Sequence, residues 1–260
     1  MEVIVPQRES RATLCLDSGG QIQSEREVRS IPVPYATRSY CPVSNGDFID
    51  LVKHTADKML GLEINREDYA LSAKGQRMFG TITYQTDSSE FGLNIALRNS
   101  YDTGCSAGVA CGQQVFVCDN LQLSATGAMF IRKHTTFIGQ DLDIKVKAAV
   151  ANAEYAYAKM TKEMKELKGA PVSLQRGYEV LGLAMGDRVI SKQQASVAFD
   201  DWRKATTNPR HEEFSDRNAY TLYNCFTEGL KKGTPDLRIS RQIQTHTFFS
   251  AQFLSALAAN

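Results

Sequence analysis

Leu97–Thr135 reads LRNSYDTGCSAGVACGQQVFVCDNLQLSATGAMFIRKHT, and the segment that follows, Gly139–Lys168, reads GQDLDIKVKAAVANAEYAYAKMTKEMKELK. The first stretch breaks into short apolar runs punctuated by Asp, Asn and Gly, the pattern of strands and turns. The second places Leu142, Val146, Ala149, Ala153, Ala156, Met160, Met164 and Leu167 in steps of four and three, which keeps one stripe on one side of a helix. Asp141 and Asp143 suit its N-terminal dipole, and Lys165, Lys168, Gly169 and Pro171 close it. One continuous helix over this span would run roughly 40 Å. Strands come before it and helices after it, so the expected class is α+β: a small antiparallel sheet backed by a long helix, followed by a C-terminal helical region.

Working outward, Ser44 is the expected cap of a helix that buries Phe48, Val52, Thr55, Met59 and Leu62. Met78–Tyr84 alternates, Thr86–Glu90 turns, and Phe91, Leu93, Ile95 and Leu97 alternate with Gly92, Asn94, Ala96 and Arg98. That predicts a strand with one core face and one open face. Gln113–Cys118 and Ala128–His134 are the third and fourth expected strands, with a turn at Asp119–Asn120. Ser173, Ser191 and Ser215 are expected to begin three further helices, and the tail from Ile239 is expected to be helical. The expected organisation is an N-terminal arm over 1–40, with two strands around Asp17–Gly20, an α+β core over 41–170, and helices over 171–260.

The chain has 260 residues and a net charge of +1, so its global charge does not advertise a nucleic-acid or membrane partner. From Arg132 to Lys168 there are eight Lys or Arg against five Asp or Glu, a mild local excess of positive charge. The six cysteines form no C-x-x-C pair, no apolar leader begins the chain, and no run approaches the length of a membrane span. Free thiols in a reducing cytoplasm are the expectation.

The chemistry-bearing candidates cluster where strands meet turns. Lys74 and Arg77 precede the first strand, Arg98 and Tyr101 close the second, and Arg132, Lys133 and His134 close the fourth. Arginine makes bidentate contacts with phosphate, and an exposed tyrosine offers a face on which a base stacks. The competing reading pairs Arg98 with Asp102 or Asp119 and makes these residues turn fixtures. His134 with Asp102 or Cys118 shows no zinc spacing, and no H-E-x-x-H, G-x-S-x-G or Walker lysine occurs, so no enzyme, metal or cofactor is expected. The pair of short helices over 173–186 and 191–205 has helix-turn-helix proportions, with Lys192, Gln193, Gln194 and Arg203 outward; ordinary packing with Trp202 in the core competes with it.

PVSNGDFIDLV, LSAKGQRMFG, LRNSYD, VFVCDN, IRKHT and NAYTLYNCFTEGLKK occur in that order over roughly residues 30–235. Together they resemble a phage- and plasmid-borne family known only as a domain of unknown function. RNSYD and the C-D-N turn carry the likeness most specifically, although Asp119 and Leu121 depart from the family's C-S-N-G. The resemblance implies a mobile-element protein in a bacterial cytoplasm. The element order is also similar to that of phage single-strand annealing proteins of the Red-beta and Erf kind, which implies a homo-oligomer holding single-stranded DNA. The leading expectation is therefore a single-stranded-DNA-binding or annealing protein using Lys74, Arg77, Arg98, Tyr101, Arg132 and Lys133. The alternative is a host-interaction or anti-defence protein acting by contact with a host protein.

Overall fold

The computed structural model describes residues 20–115, 120–123, 129–233 and 235–254. Seven strands form one antiparallel sheet: β1 (Gln21–Gln23), β2 (Ile64–Ser72), β3 (Arg77–Tyr84), β4 (Phe91–Ser100), β5 (Ala107–Val115), β6 (Asn120–Leu123) and β7 (Met129–Arg132). They follow one another in space from β1 to β6. β6 and β7 share the outer side of β5, β7 pairing with Ala107–Ala110 and β6 with Gly112–Val115. The helices are α1 (Glu25–Ser30), α2 (Asn45–Leu60), α3 (Ile138–Ala151), α4 (Ala153–Lys168), α5 (Leu174–Gly186), α6 (Lys192–Lys204), α7 (Ala219–Leu230) and α8 (Pro235–Phe249), the last running into a π turn at Ser250–Leu254. Among the described residues no helix is long and apolar enough to cross a membrane.

The antiparallel sheet and the C-terminal helices are as the sequence predicts; of the two strands expected around Asp17–Gly20 the second is β1, Gln21–Gln23, and the first lies outside the described residues, as does Asp119 of the expected turn. β2 is an addition. Its polar spelling, INREDYALS, conceals a strand that pairs with all of β3. Residues 21–30 of the expected arm form β1, which extends the sheet, and α1, which buries Val28.

The long helix is divided. Asn152 takes φ −97°, ψ 2°, its N–H bonds to Ala149 O at 3.2 Å, and its side-chain amide donates to Ala148 O at 2.9 Å. An asparagine side chain that satisfies a backbone carbonyl competes with the helix ladder and favours a break. The apolar stripe keeps its phase across the break, from Ala149 and Val150 to Ala153 and Ala156, all buried.

The first face of the sheet carries Tyr69, Leu71, Met78, Ile82, Leu93, Ile95, Leu97 and Val109 against Phe48, Ile49, Val52 and Ala56 of α2 and Leu142, Val146 and Ala149 of α3. The second face was expected to be open, and it is not: every residue of β4 is buried. Ala70, Phe79, Ala96, Ala110 and Leu123 meet Ile239 of α8 there. Beside them runs a polar ladder. Thr83 Oγ1 donates to Gln114 Oε1 at 2.5 Å and accepts from Asn94 Nδ2 at 2.8 Å, satisfying groups that would otherwise be costly to bury.

A larger core joins Phe91, Val115, Met164 and Leu167 to α5–α8 around Trp202, whose Nε1 donates to Leu174 O at 3.1 Å. α5 and α6 begin at Ser173 and Ser191 as expected. α7 is capped by Asn218 in place of Ser215, through its side-chain oxygen to Thr221 N at 2.8 Å. At Gly177 a Cβ would stand 2.0 Å from Trp202 Nε1, whereas at Gly182 it would meet open space. In urea denaturation Gly177→Ala is expected to cost about 1–3 kcal/mol by overpacking, and Gly182→Ala to add about 0.5–1 kcal/mol through helix propensity.

Candidate nucleic-acid interface

The sheet brings the end of β2, the start of β3, the end of β4, the start of β5 and the end of β7 to one end. Arg77 sits opposite Ser100, and Ala107 opposite Arg132. Lys74 occupies the β2–β3 turn with φ 55° and is exposed; Lys133 follows β7 and is exposed. Arg77 and Arg132 are half-buried. Arg77 Nε donates to Asp102 at 2.9 and 3.2 Å, and Asp102 also accepts Gly104 N at 2.8 Å. Arg132 pairs with Asp141 at 2.7 Å. Four of the six expected contact residues therefore share one rim.

The rim is not a single-faced trough. Strand alternation directs Arg77 with Phe79 to the second face and Arg132 with Phe130 to the first. Arg98 and Tyr101 are corrected outright as contact residues. Arg98 is 8% exposed, within the second face. Tyr101 is 6% exposed, so it offers no ring for stacking, and its hydroxyl accepts the Asn45 N–H at 2.8 Å.

RNSYD is instead an internal fastening. Asn99 Nδ2 donates to Val43 O at 2.7 Å and to Asn45 Oδ1 at 2.8 Å. Ser100 Oγ donates to Cys105 O at 2.6 Å and accepts Cys105 N at 3.2 Å. Tyr40, which the sequence reading passed over, donates its hydroxyl to Tyr101 O at 3.2 Å and packs on His134 with ring centroids 5.8 Å apart. The signal for this fastening was S-N-G at residues 44–46, an amide beside a helix cap with a second amide in RNSYD to receive it. His134 is buried, and burial pushes its imidazole below the ordinary 6.5, opposed by its contact with the Cys41 backbone. Burial also pushes the Cys111 thiol up to about 12, making it a core group. Among the described residues no three His, Cys, Asp or Glu are placed to hold a metal ion.

The helix-turn-helix reading does not survive intact. Gln194 is buried and completes the capping box of α6, Arg203 pairs with Asp200 at 2.8 Å, and Trp202 lies in the core.

A hollow of about 500 Å³ adjoins the rim beside Lys74, lined also by Gln21, Glu27, Ser30 and Leu71. A second hollow, of about 850 Å³, lies at the opposite end of the strands, where Glu63, Asp87, Glu90 and Glu154 outnumber Lys165 and Lys168, the latter paired with Glu90. The sheet thus has a cationic end and an acidic end. A family model described as "Domain of unknown function (DUF932)" matches residues 36–252. The chain belongs to that family. The DUF932 match spans α2 to α8 and includes both the fastening and the rim. No curated protein and no solved structure matches.

Two outcomes follow from this DUF932 geometry. Tyr101→Phe leaves the Asn45 N–H without its buried acceptor, and a loss of about 1–3 kcal/mol in chemical denaturation is expected. A histidine whose folded value lies below its unfolded one binds protons more readily unfolded, so its contribution is complete above about 6.5 and declines as pH falls below that. Melting temperatures between neutral pH and pH ~5 are expected to fall less steeply in His134→Gln than in the wild type.

Proposed function

We propose that this DUF932 protein binds single-stranded nucleic acid, with DNA as the favoured ligand, along the cationic end of its sheet. The observation that carries the reading is the segregation of charge along the strands: Lys74, Arg77, Arg132 and Lys133 at one end, Glu63, Asp87, Glu90 and Glu154 at the other. A polyanion is steered to the first and repelled from the second. The pairs Arg77–Asp102 and Arg132–Asp141 are partly solvated, where ion pairs contribute about 0–1 kcal/mol. Phosphate oxygens in bidentate reach of a guanidinium compete with such pairs. The context is a phage or plasmid protein in a bacterial cytoplasm, and annealing in recombination is the activity suggested by element order alone, which is analogy.

A labelled oligo-dT in fluorescence anisotropy tests this. The wild type is expected to bind at low salt and weaken steeply as salt rises. Lys74→Glu/Lys133→Glu is expected to weaken binding by about tenfold or more and to flatten the salt slope by about two. Absence of binding by the wild type, or equal binding by the folded double variant, would overturn the reading.

A second reading, contact with a host protein as an anti-defence factor, is favoured by a different observation. Phe137 and Ile131 are exposed beside Lys133, a mixed apolar and charged surface, and the net charge of +1 suits a protein partner. A host protein retained at stoichiometric amounts after nuclease treatment, and lost with Phe137→Glu, would favour it.

A further inference from the structure

The side of α3 and α4 that faces away from the sheet is also patterned. Ile144, Ala148, Ala151, Tyr155 and Ala158 follow steps of four, three, four and three, and all five are exposed. Ile144 is 69% exposed and Tyr155 63%. This stripe lies opposite the buried one, and its phase carries across Asn152 as the buried stripe's does. A solvated helix face has no need of an apolar seam with coiled-coil spacing.

We infer that the stripe is an interface between two copies of this chain, packed antiparallel about a two-fold axis near Ala151. Two features select a second copy. The first is shape. Antiparallel pairing about Ala151 sets Ile144 against Ala158 of the other copy, Tyr155 against Ala148, and Ala151 against itself, so large meets small at each level. Parallel pairing would set tyrosine on tyrosine and isoleucine on isoleucine. Interdigitation of large and small side chains is what close helix packing requires.

The second feature is charge. Lys147 and Glu154 lie on one flank of the stripe, seven residues apart, and the same axis sets each against the other in the second copy. Within its own chain Glu154 has no ion pair among those the structure records, and Lys147 pairs only with Asp143 at 2.6 Å. A two-fold interface must be self-complementary, and the large-to-small pairing together with the Lys147–Glu154 flank makes this surface so in the antiparallel sense. None of the stripe residues belongs to the rim; the flanking Glu154 is shared with the acidic end of the sheet, whereas the variants that test the rim, at Lys74 and Lys133, leave the stripe unchanged.

One helix pair buries less than a standard interface, so the association is expected to be concentration-dependent, in about the micromolar range. Sedimentation equilibrium of the full chain is the test, with melting curves to confirm that each variant folds. The wild type is expected to dimerise. Tyr155→Glu is expected to abolish dimerisation over the measured range. Lys147→Glu, which turns two attractions into two repulsions, is expected to weaken it about tenfold or more, and Lys147→Glu/Glu154→Lys to restore it. A wild type that stays monomeric at several hundred micromolar overturns the inference. So does a dimer indifferent to Tyr155→Glu, and a double variant no tighter than Lys147→Glu overturns the antiparallel register.

Discussion

Asn45 ties the start of α2 to the end of β4. Its backbone N–H, one of the orphan donors at the start of α2, is accepted by the Tyr101 hydroxyl, and its side-chain oxygen is held by Asn99. α2 contributes Phe48, Ile49, Val52 and Ala56 to the first face of the sheet, so the angle at which it enters decides how that face is covered. The entry is set by three polar contacts from the end of β4, two of them buried, together with the Ser44 cap. Helix N-terminal donors must be satisfied by something, and here the strand beneath supplies part of it. The same five-residue motif then sends Asp102 outward to Arg77. Fastening and rim are therefore consecutive residues, with buried hydrogen bonds positioning the charged turn.

Covering both faces of the sheet explains the rest of the polar residues. β4 has Leu93, Ile95 and Leu97 on one side and Asn94, Ala96 and Arg98 on the other, and both sets are buried. Small residues on the second side, Ala70, Ala96 and Ala110, let α8 approach through Ile239. Gly112 serves the same purpose at the edge: a Cβ there would stand 2.2 Å from Gln122 O, so β6 could not pair closely with any larger residue. Thr83, Asn94 and Gln114 answer one another where the packing is polar. This arrangement tolerates polar side chains inside the sheet only because they are mutually bonded.

These features account for what was legible in the sequence. Apolar periodicity located α2, β3, β4 and the α3–α4 stripe, because each has one face against a large apolar core. It missed β2, where Arg66 and Asp68 pair with each other at 2.5 Å and Glu67 reaches Lys53, so the strand's charges read as a loop. It placed Asn94 and Arg98 on an open face, because a buried polar residue and a solvated one are spelled alike. The break at Asn152 was invisible for a related reason. Asparagine bonds to a carbonyl four residues back or points to water, and composition does not distinguish the two. Tyr101 is the instructive case for function. It stands between a cation and an acid at a strand end, the place where a stacking residue belongs, yet its hydroxyl has a partner 56 positions earlier in the chain.

The separation of roles along α3 and α4 follows from the same logic. A helix that covers a sheet needs one apolar stripe, and Leu142 to Leu167 provide it. A second apolar stripe on the opposite side exposes area to water with no return inside the monomer. Lysines and acids flank it, and the flank bearing Lys147 and Glu154 is complementary to its own reverse. The rim lies at the α3 end of this element, since Arg132 reaches Asp141 in the first turn of α3. The proposed two-fold axis near Ala151 would send the two α3 N-termini in opposite directions, and at 1.5 Å per residue would set the rims roughly 40 Å apart. A flexible polyanion long enough to bridge that distance would engage both rims, and the second contact would then be intramolecular, which raises apparent affinity without a new type of contact. Self-association and the cationic rim thus use different residues and would reinforce one another on a long ligand.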